Sequence, residues 1–133
     1  MENIDQLKKF WSKKKVFITG HTGFKGSWLS IMLNNLGSKI YGYALKPEKN
    51  SLFNKSKIIK SLASNNYSDI NNITKLKKIL KQIKPEIIFH LAAQPLVLES
   101  YKKPLETFST NIIGTLNLLE SIRTIKSIKS VVI

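Results

Sequence analysis

Apolar positions alternate along the chain between short β-like runs and longer stretches at helical spacing, a pattern that predicts an α/β fold with a parallel sheet. Val16-Phe17-Ile18-Thr19 reads as a short buried strand. The glycine-rich turn behind it opens a helix through about Leu36, with Trp28, Leu29, Met32, Leu33 and Leu36 as its apolar residues. Gly37 stands where a helix-terminating glycine belongs. Ile40 to Leu45 predicts a second strand. From Lys46 to about Ser64 the pattern dissolves into Lys, Asn and Ser and predicts one short helix. Asn66 to Ser68 predicts a short third strand ending at Asp69. Ile73, Leu76, Leu80 and Ile83 then fall on one face of an amphipathic helix that Pro85 stops. Glu86 to Leu91 predicts a fourth strand, because Ile87-Ile88-Phe89 is a continuous apolar run of the kind buried on both faces. A loop with Ala92, Ala93, Gln94 and Pro95 leads to a helix from about Pro104 to Thr124, with Leu105, Phe108, Ile112, Leu116 and Leu119 on one face. Ser130-Val131-Val132-Ile133 opens a fifth strand.

The pattern breaks off inside that strand. Residues 1–133 are therefore expected to be the N-terminal part of a doubly wound domain, with the rest of the domain and any substrate domain absent. No internal repeat or low-complexity tract interrupts them.

Composition narrows the function classes. Hydrophobic residues are 42% and charged residues 23%, an ordinary globular balance. No apolar run approaches the roughly 18 residues that span a bilayer, and Met1 to Lys15 has no apolar signal-peptide core, so a cytoplasmic protein without a membrane partner is expected. With no cysteine there are neither disulfides nor thiolate chemistry. The 22 Lys+Arg against 8 Asp+Glu give a net charge of +14, which draws a protein toward polyanions. Only Arg123 is an arginine, however, and nucleic-acid recognition leans on the arginine fork. A solvated lysine surface, with no nucleic-acid partner, is the expectation.

The candidate chemistry lies in Gly20-His21-Thr22-Gly23-Phe24-Lys25-Gly26, a Gly-x-x-Gly-x-x-Gly turn between a strand and a helix. Such a turn cradles a pyrophosphate, because backbone N–H groups and the positive end of the helix dipole face the anion. Glycine allows the tight turn and close backbone approach. No Gly-Lys-Ser/Thr follows, so it is not a P-loop. Ligands of open α/β sheets lie across the carboxyl ends of the strands, which adds Asp69 and Leu91-Ala92-Ala93 as wall residues. Asp69 reads equally as the N-cap of the following helix. The second strand ends in Tyr43-Ala44-Leu45, without the acid that often holds the adenosine ribose. With Lys46 and Lys49 nearby, this segment leaves a 2′-phosphate open. His21 and His90 are the only histidines, too few for a metal site or a Ser/His/Asp triad, and His90 reads as a satisfied structural histidine. Gln94 and Ser100 read either as substrate-approaching or as loop-stabilising residues.

These residues resemble a known family. Thr19 to Leu29 is similar to the N-terminal signature of the CDP-glucose 4,6-dehydratases, of the extended short-chain dehydrogenase/reductase superfamily. Phe10-Trp11, Tyr41 to Leu45, Ser51-Leu52-Phe53, and the block from Phe89 to Val97 agree with it. So do Pro104 to Thr107, Thr110-Asn111 and Gly114-Thr115. The stretch from about Asn54 to Tyr67 does not, and Leu98-Glu99 departs where a basic residue is expected. The resemblance implies a Rossmann-like doubly wound parallel sheet and a lyase that uses NAD. Hydride would leave C4 of the hexose of CDP-glucose, water would leave from C5–C6, and hydride would return to C6. That gives a CDP-4-keto-6-deoxyglucose for surface polysaccharide. It also implies that Gly20, Thr22, Gly23, Phe24 and Gly26 line the pyrophosphate, that Asp69 and Ile70 meet the adenine, and that Leu91, Ala92 and Ala93 flank the ribose and nicotinamide. Asn111 would be an organising residue behind the site, in the helix after the fourth strand. The preference for NAD over NADP rests on the resemblance alone.

A homodimer built on a four-helix bundle is implied as well, through Phe108, Ile112 and Leu116 with Gly114 permitting close approach; packing onto the sheet explains the same residues. The superfamily's catalytic Ser/Thr and Tyr-x-x-x-Lys follow the fifth strand. Tyr101 is followed at that spacing by Leu105 and Tyr43 by Pro47, so no catalytic residue is expected here and the isolated chain should not turn over substrate. The alternatives are a sister epimerase or reductase, or a noncatalytic basic dinucleotide- or nucleic-acid-binding module.

Overall fold

The computed structural model describes residues 2–133. Helix α1 (Glu2–Trp11) leads into strand β1 (Lys15–Thr19), helix α2 (Phe24–Asn35) and strand β2 (Lys39–Ala44). A short helix α3 (Leu52–Ser56) and a 3-10 turn (Ile58–Ser61) precede strand β3 (Ser64–Tyr67). Helix α4 (Ile73–Ile83) and strand β4 (Ile87–His90) come next. Helices α5 (Val97–Lys102) and α6 (Pro104–Phe108), a π turn (Ser109–Ile113), helix α7 (Gly114–Ile122) and strand β5 (Ser130–Val132) complete the chain. The five strands form one sheet in the order β3-β2-β1-β4-β5, every pair parallel. The order reverses at β1, which makes the sheet doubly wound and opens a crevice at the carboxyl ends of β1 and β4.

Alternation along β1 divides the core. Phe17 points to one face, where it meets Tyr43, Ile70, Leu76, Leu80, Ile88 and Leu118. Val16 and Ile18 point to the other, against Leu33, Ile40 and Ile87. All the β1 residues from Val16 to Thr19 are buried, as a central parallel strand requires. Glu86 fastens the opposite end of the sheet. Its carboxylate accepts from the Lys15 amide and pairs with Lys14 and Lys129, joining β1, β4 and the approach to β5.

The hydrogen bond donated by the Lys15 amide, with the two lysines, holds the Glu86 carboxyl below its ordinary value near 4.5. The ionised form is thus favoured in the folded state. Its stabilisation is present above the unfolded value and is lost as pH falls through the lower folded one. Glu86→Gln is expected to cost on the order of 1 kcal/mol at neutral pH. The difference from the parent should shrink progressively as pH falls below the ordinary carboxylate value, as read from urea midpoints across pH.

The structure adds or moves several elements. Helix α1 was not expected; Trp11 anchors it by packing on Phe89, with ring centroids 6.3 Å apart. Strand β3 begins two residues earlier than its apolar content suggests. Its Ser-Asn-Asn-Tyr sequence is held by pairing with β2 and by Asn66 Nδ2 donating to the Gly42 carbonyl. On α2 the packed face is Gly26, Ser27, Ser30 and Leu33, while Trp28 and Met32 are exposed, because only small residues let the helix sit this close to β1. The long helix expected from Pro104 to Thr124 contains the π turn and ends at Ile122. Its expected apolar face is outside: Leu105 is 84% exposed and Phe108 60%, while Gly114, Leu118 and Ser121 meet the core. Gly37 terminates α2 as expected, at φ +87°.

Candidate functional site

The crevice at the carboxyl ends of the strands is a groove of about 630 Å³. Its floor is the turn between β1 and α2. Gly20 adopts φ +72°, donates its N–H to the Tyr43 carbonyl at 2.9 Å, and accepts from the Gly23 amide at 3.1 Å. A Cβ on Gly20 would lie 2.6 Å from the Leu91 carbonyl carbon and 2.7 Å from the Ala92 nitrogen, so the floor of the groove touches its β4 wall through this residue. A Cβ on Gly26 would overlap the Gly20 oxygen. Thr22 donates to the Leu45 carbonyl at 2.9 Å and fixes the turn against the end of β2.

Gly23 is the N-cap of helix α2, which has no side-chain cap and no acid in its first turn. Its first internal bond runs from Ser27 N to Gly23 O at 2.9 Å. The amides of Phe24, Lys25 and Gly26 therefore precede the intrahelical ladder and, with the helix dipole, favour an anion at this end. Of the residues that line the groove, Lys25 and Asp69 alone carry charged side chains.

All ten sequence-predicted residues line this one groove: Gly20, Thr22, Gly23, Phe24 and Gly26 on the floor, Asp69 and Ile70 on the β3 side, Leu91, Ala92 and Ala93 on the β4 side. Lys25, Tyr43, Ala44, Leu45, Ser68, Pro95 and Thr110 complete it without having been singled out for it. Tyr43 had a signal, its place at the end of the second strand. Its buried hydroxyl donates to the Asp69 carbonyl at 3.0 Å, and burial raises its pKa. Thr110 sits in the π turn, which no periodicity announces.

Asp69 is not the cap of α4. That role belongs to Asn72, whose side chain accepts from the Lys75 amide at 3.0 Å, while Asp69 Oδ1 accepts from the Asn71 amide at 2.8 Å. Gln94 and Ser100 stabilise their own loop. The Gln94 side chain bonds Leu96 N, Leu96 O and Thr107, and Ser100 donates to the Val97 carbonyl. Asn111 clamps the same loop at two points, accepting from Gln94 N and donating to Gln94 O.

Both histidines are buried. The His21 ring contacts Asn65 Oδ1 through Nε2 at 2.5 Å and meets Phe53 edge-on, with burial lowering its pKa. His90 lies between Thr19 and Thr115, with ring-to-hydroxyl distances of 2.7 and 3.0 Å, and burial lowers its pKa as well. Among the described residues no cluster of His, Asp or Glu could hold a metal ion, and no helix is long and apolar enough to cross a membrane.

The strand order and the glycine turn place the chain among doubly wound α/β domains whose ligand crevice opens beside the first strand. The family model of the GDP-mannose 4,6 dehydratases matches residues 17–133, and the chain belongs to that family. A CDP-glucose 4,6-dehydratase of Salmonella typhimurium is 49% identical over 126 residues, which is 94% of this chain and 35% of that protein. A UDP-glucose 4-epimerase of Mycoplasma genitalium is 32% identical over 112 residues, 84% of this chain and 32% of its own length. The solved UDP-glucose 4-epimerase of Thermotoga maritima superposes with a TM-score of 0.74 at 28% identity, covering 87% of this chain and 36% of that one. A Stenotrophomonas maltophila UDP-glucose 4-epimerase, solved with NAD bound, superposes at 0.70 and 24% identity, covering 83% of this chain and 33% of that one, and bears on the fold alone. The chain spans about a third of the length of these relatives.

Proposed function

We propose that this chain is the NAD-binding portion of a nucleotide-sugar 4,6-dehydratase acting on CDP-glucose. The observation that carries the reading is the uncapped N-terminus of α2 facing a groove whose floor admits no Cβ at Gly20 or Gly26. A pyrophosphate fits such a floor: the amides of Phe24, Lys25 and Gly26 donate to it, and Lys25 adds charge. Asp69 and Ile70 would hold the adenine end. The backbone of Leu91, Ala92 and Ala93 would hold the nicotinamide ribose. The dinucleotide supplies a hydride acceptor that later returns the hydride; the chain's own residues bind and orient it. The choice of CDP-glucose is supported by the Salmonella typhimurium relative. The choice of NAD rests on the family resemblance alone, since β2 ends at Ala44, followed by Leu45, with no carboxylate to select a ribose 2′-hydroxyl.

The exposed stripe of Leu105, Phe108, Ile112, Leu116 and Leu119 supports a homodimer in which these helices face each other. Phe108→Glu is expected to shift the protein from dimer to monomer in sedimentation velocity; an unchanged coefficient would remove the stripe from the interface.

A substrate panel tests the activity on the protein extended to its relatives' length. CDP-glucose should lose water to the 4-keto-6-deoxy product, and UDP-glucose and GDP-mannose should react far more slowly. Epimerisation of UDP-glucose without dehydration would make the protein a sister enzyme.

A further inference from the structure

His90 ends β4 directly before the Leu91-Ala92-Ala93 wall, and every hydrogen in the network around it can be assigned. The Thr115 hydroxyl donates to the Asn111 carbonyl at 2.7 Å, so toward His90 Nε2 its oxygen must accept. That places the ring proton on Nε2. Nδ1 is then an acceptor and takes the Thr19 hydroxyl proton at 2.7 Å. The Thr19 oxygen, with two lone pairs, accepts from the amides of Leu91 at 3.1 Å and Ala92 at 3.2 Å. Leu91 N–H also reaches the Thr19 carbonyl at 3.1 Å, whereas Ala92 N–H has no other acceptor among the described residues. The chain of donors runs one way, from the groove wall through Thr19 and His90 to the helix behind.

We propose that His90, as its neutral Nε2–H tautomer, is a positioning residue that holds the Ala92 side of the cofactor groove in place, and that protonation of the ring releases it. An imidazolium presents N–H on both nitrogens. The Thr19 oxygen would then face three donors with two lone pairs, and its own hydroxyl proton would lose its acceptor. One of the two amides must move away from the reoriented hydroxyl. Leu91 is fixed to β1 by its ladder bond to the Thr19 carbonyl, so the displacement falls on Ala92, which lines the groove and has no second tie among the described residues. Gly20 lies against the Leu91–Ala92 peptide, so the displacement reaches the glycine turn. The groups facing the ring are Thr19 from β1 and Thr115 from α7, neither charged; no carboxylate stabilises the imidazolium, and burial alone sets its titration below the ordinary imidazole range. This role rests on the proposed cofactor site for its consequence, though not for its geometry.

The test is nuclear magnetic resonance of the labelled chain across pH, with parallel NAD titrations. The ring nitrogens of His90 should report the Nε2–H tautomer at neutral pH. The protection factor of the Ala92 amide should fall about tenfold with the protonation of His90, and NAD affinity should fall by a similar factor. His90→Asn places an unprotonatable acceptor toward Thr19. It should keep neutral-pH NAD affinity within about threefold and abolish the acid-side loss. His21→Asn, which changes the other buried histidine, should leave the Ala92 dependence on pH in place. An Nδ1–H tautomer, or Ala92 protection that ignores His90 titration, overturns the proposal. Absence of NAD binding at every pH, with Ala92 still tracking His90, would instead sink the cofactor reading and leave the positioning role standing.

Discussion

Gly26→Ala is expected to weaken NAD binding at least a hundredfold and to cost roughly 2–4 kcal/mol of stability. The added methyl overlaps the Gly20 oxygen and crowds the His21 backbone, neither of which is the flexible end of a side chain. Helix α2 must therefore move off β1, and its free amides move with it. The control is Gly23→Ala, whose Cβ would come no nearer than 3.4 Å to the Gly20 oxygen, at ordinary contact distance. That variant should stay within about 1 kcal/mol of the parent. Urea midpoints and NAD titrations on both variants read the difference. Equal midpoints would mean that helix and strand do not pack as closely as the geometry requires.

Leu118→Ala should cost roughly 2–5 kcal/mol, the usual range for a fully buried leucine. Leu118 is 0% exposed and joins α7 to Phe17, Leu80 and Ile88 in the main core cluster. Leu116→Ala, two residues away, should change monomer stability by less than about 0.5 kcal/mol, because that side chain is 57% exposed. The pair is decisive, since the two residues lie on opposite sides of one helix. Equal losses by thermal denaturation in a Phe108→Glu background would contradict the assigned faces.

That contrast also marks where the sequence was legible. The segment from Pro104 to Thr124 is apolar on both sides, so periodicity finds a helix without saying which side the sheet covers. The deciding features are small: Gly114, whose Cβ would come 2.5 Å from Ile70 Cγ2, and Thr115, which bonds His90. The π turn between α6 and α7 leaves no trace in a 3.6-residue period. The same limit applies to α2, where Trp28 and Met32 stand among the apolar residues of the helix yet are exposed, and close packing selected Gly26, Ser27 and Ser30. Strands β1, β2 and β4 were legible because buried parallel strands must be apolar. Strand β3 was legible only in part, since pairing rather than burial holds Ser64–Tyr67 in place.

The groove was more legible than the helices around it. A glycine turn between strand and helix, the end of β3 and the residues after β4 must meet once the sheet is parallel and doubly wound, whatever covers its faces. All ten predicted residues accordingly share one groove. The role of Asp69 was open in the sequence because a carboxylate before a helix suits a cap as well as a wall. Asn72, closer to the first turn of α4, takes the cap.

The most direct test is a titration of NAD into the labelled chain, followed by its backbone amide signals at moderate salt. The cofactor reading predicts saturable shifts concentrated at Phe24, Lys25, Gly26 and Ala92, with one dissociation constant for all four and little competition from polyphosphate. Shifts scattered over the lysine surface, and removed by salt or by any polyanion, would contradict it and leave a basic protein attracting an anion without a site.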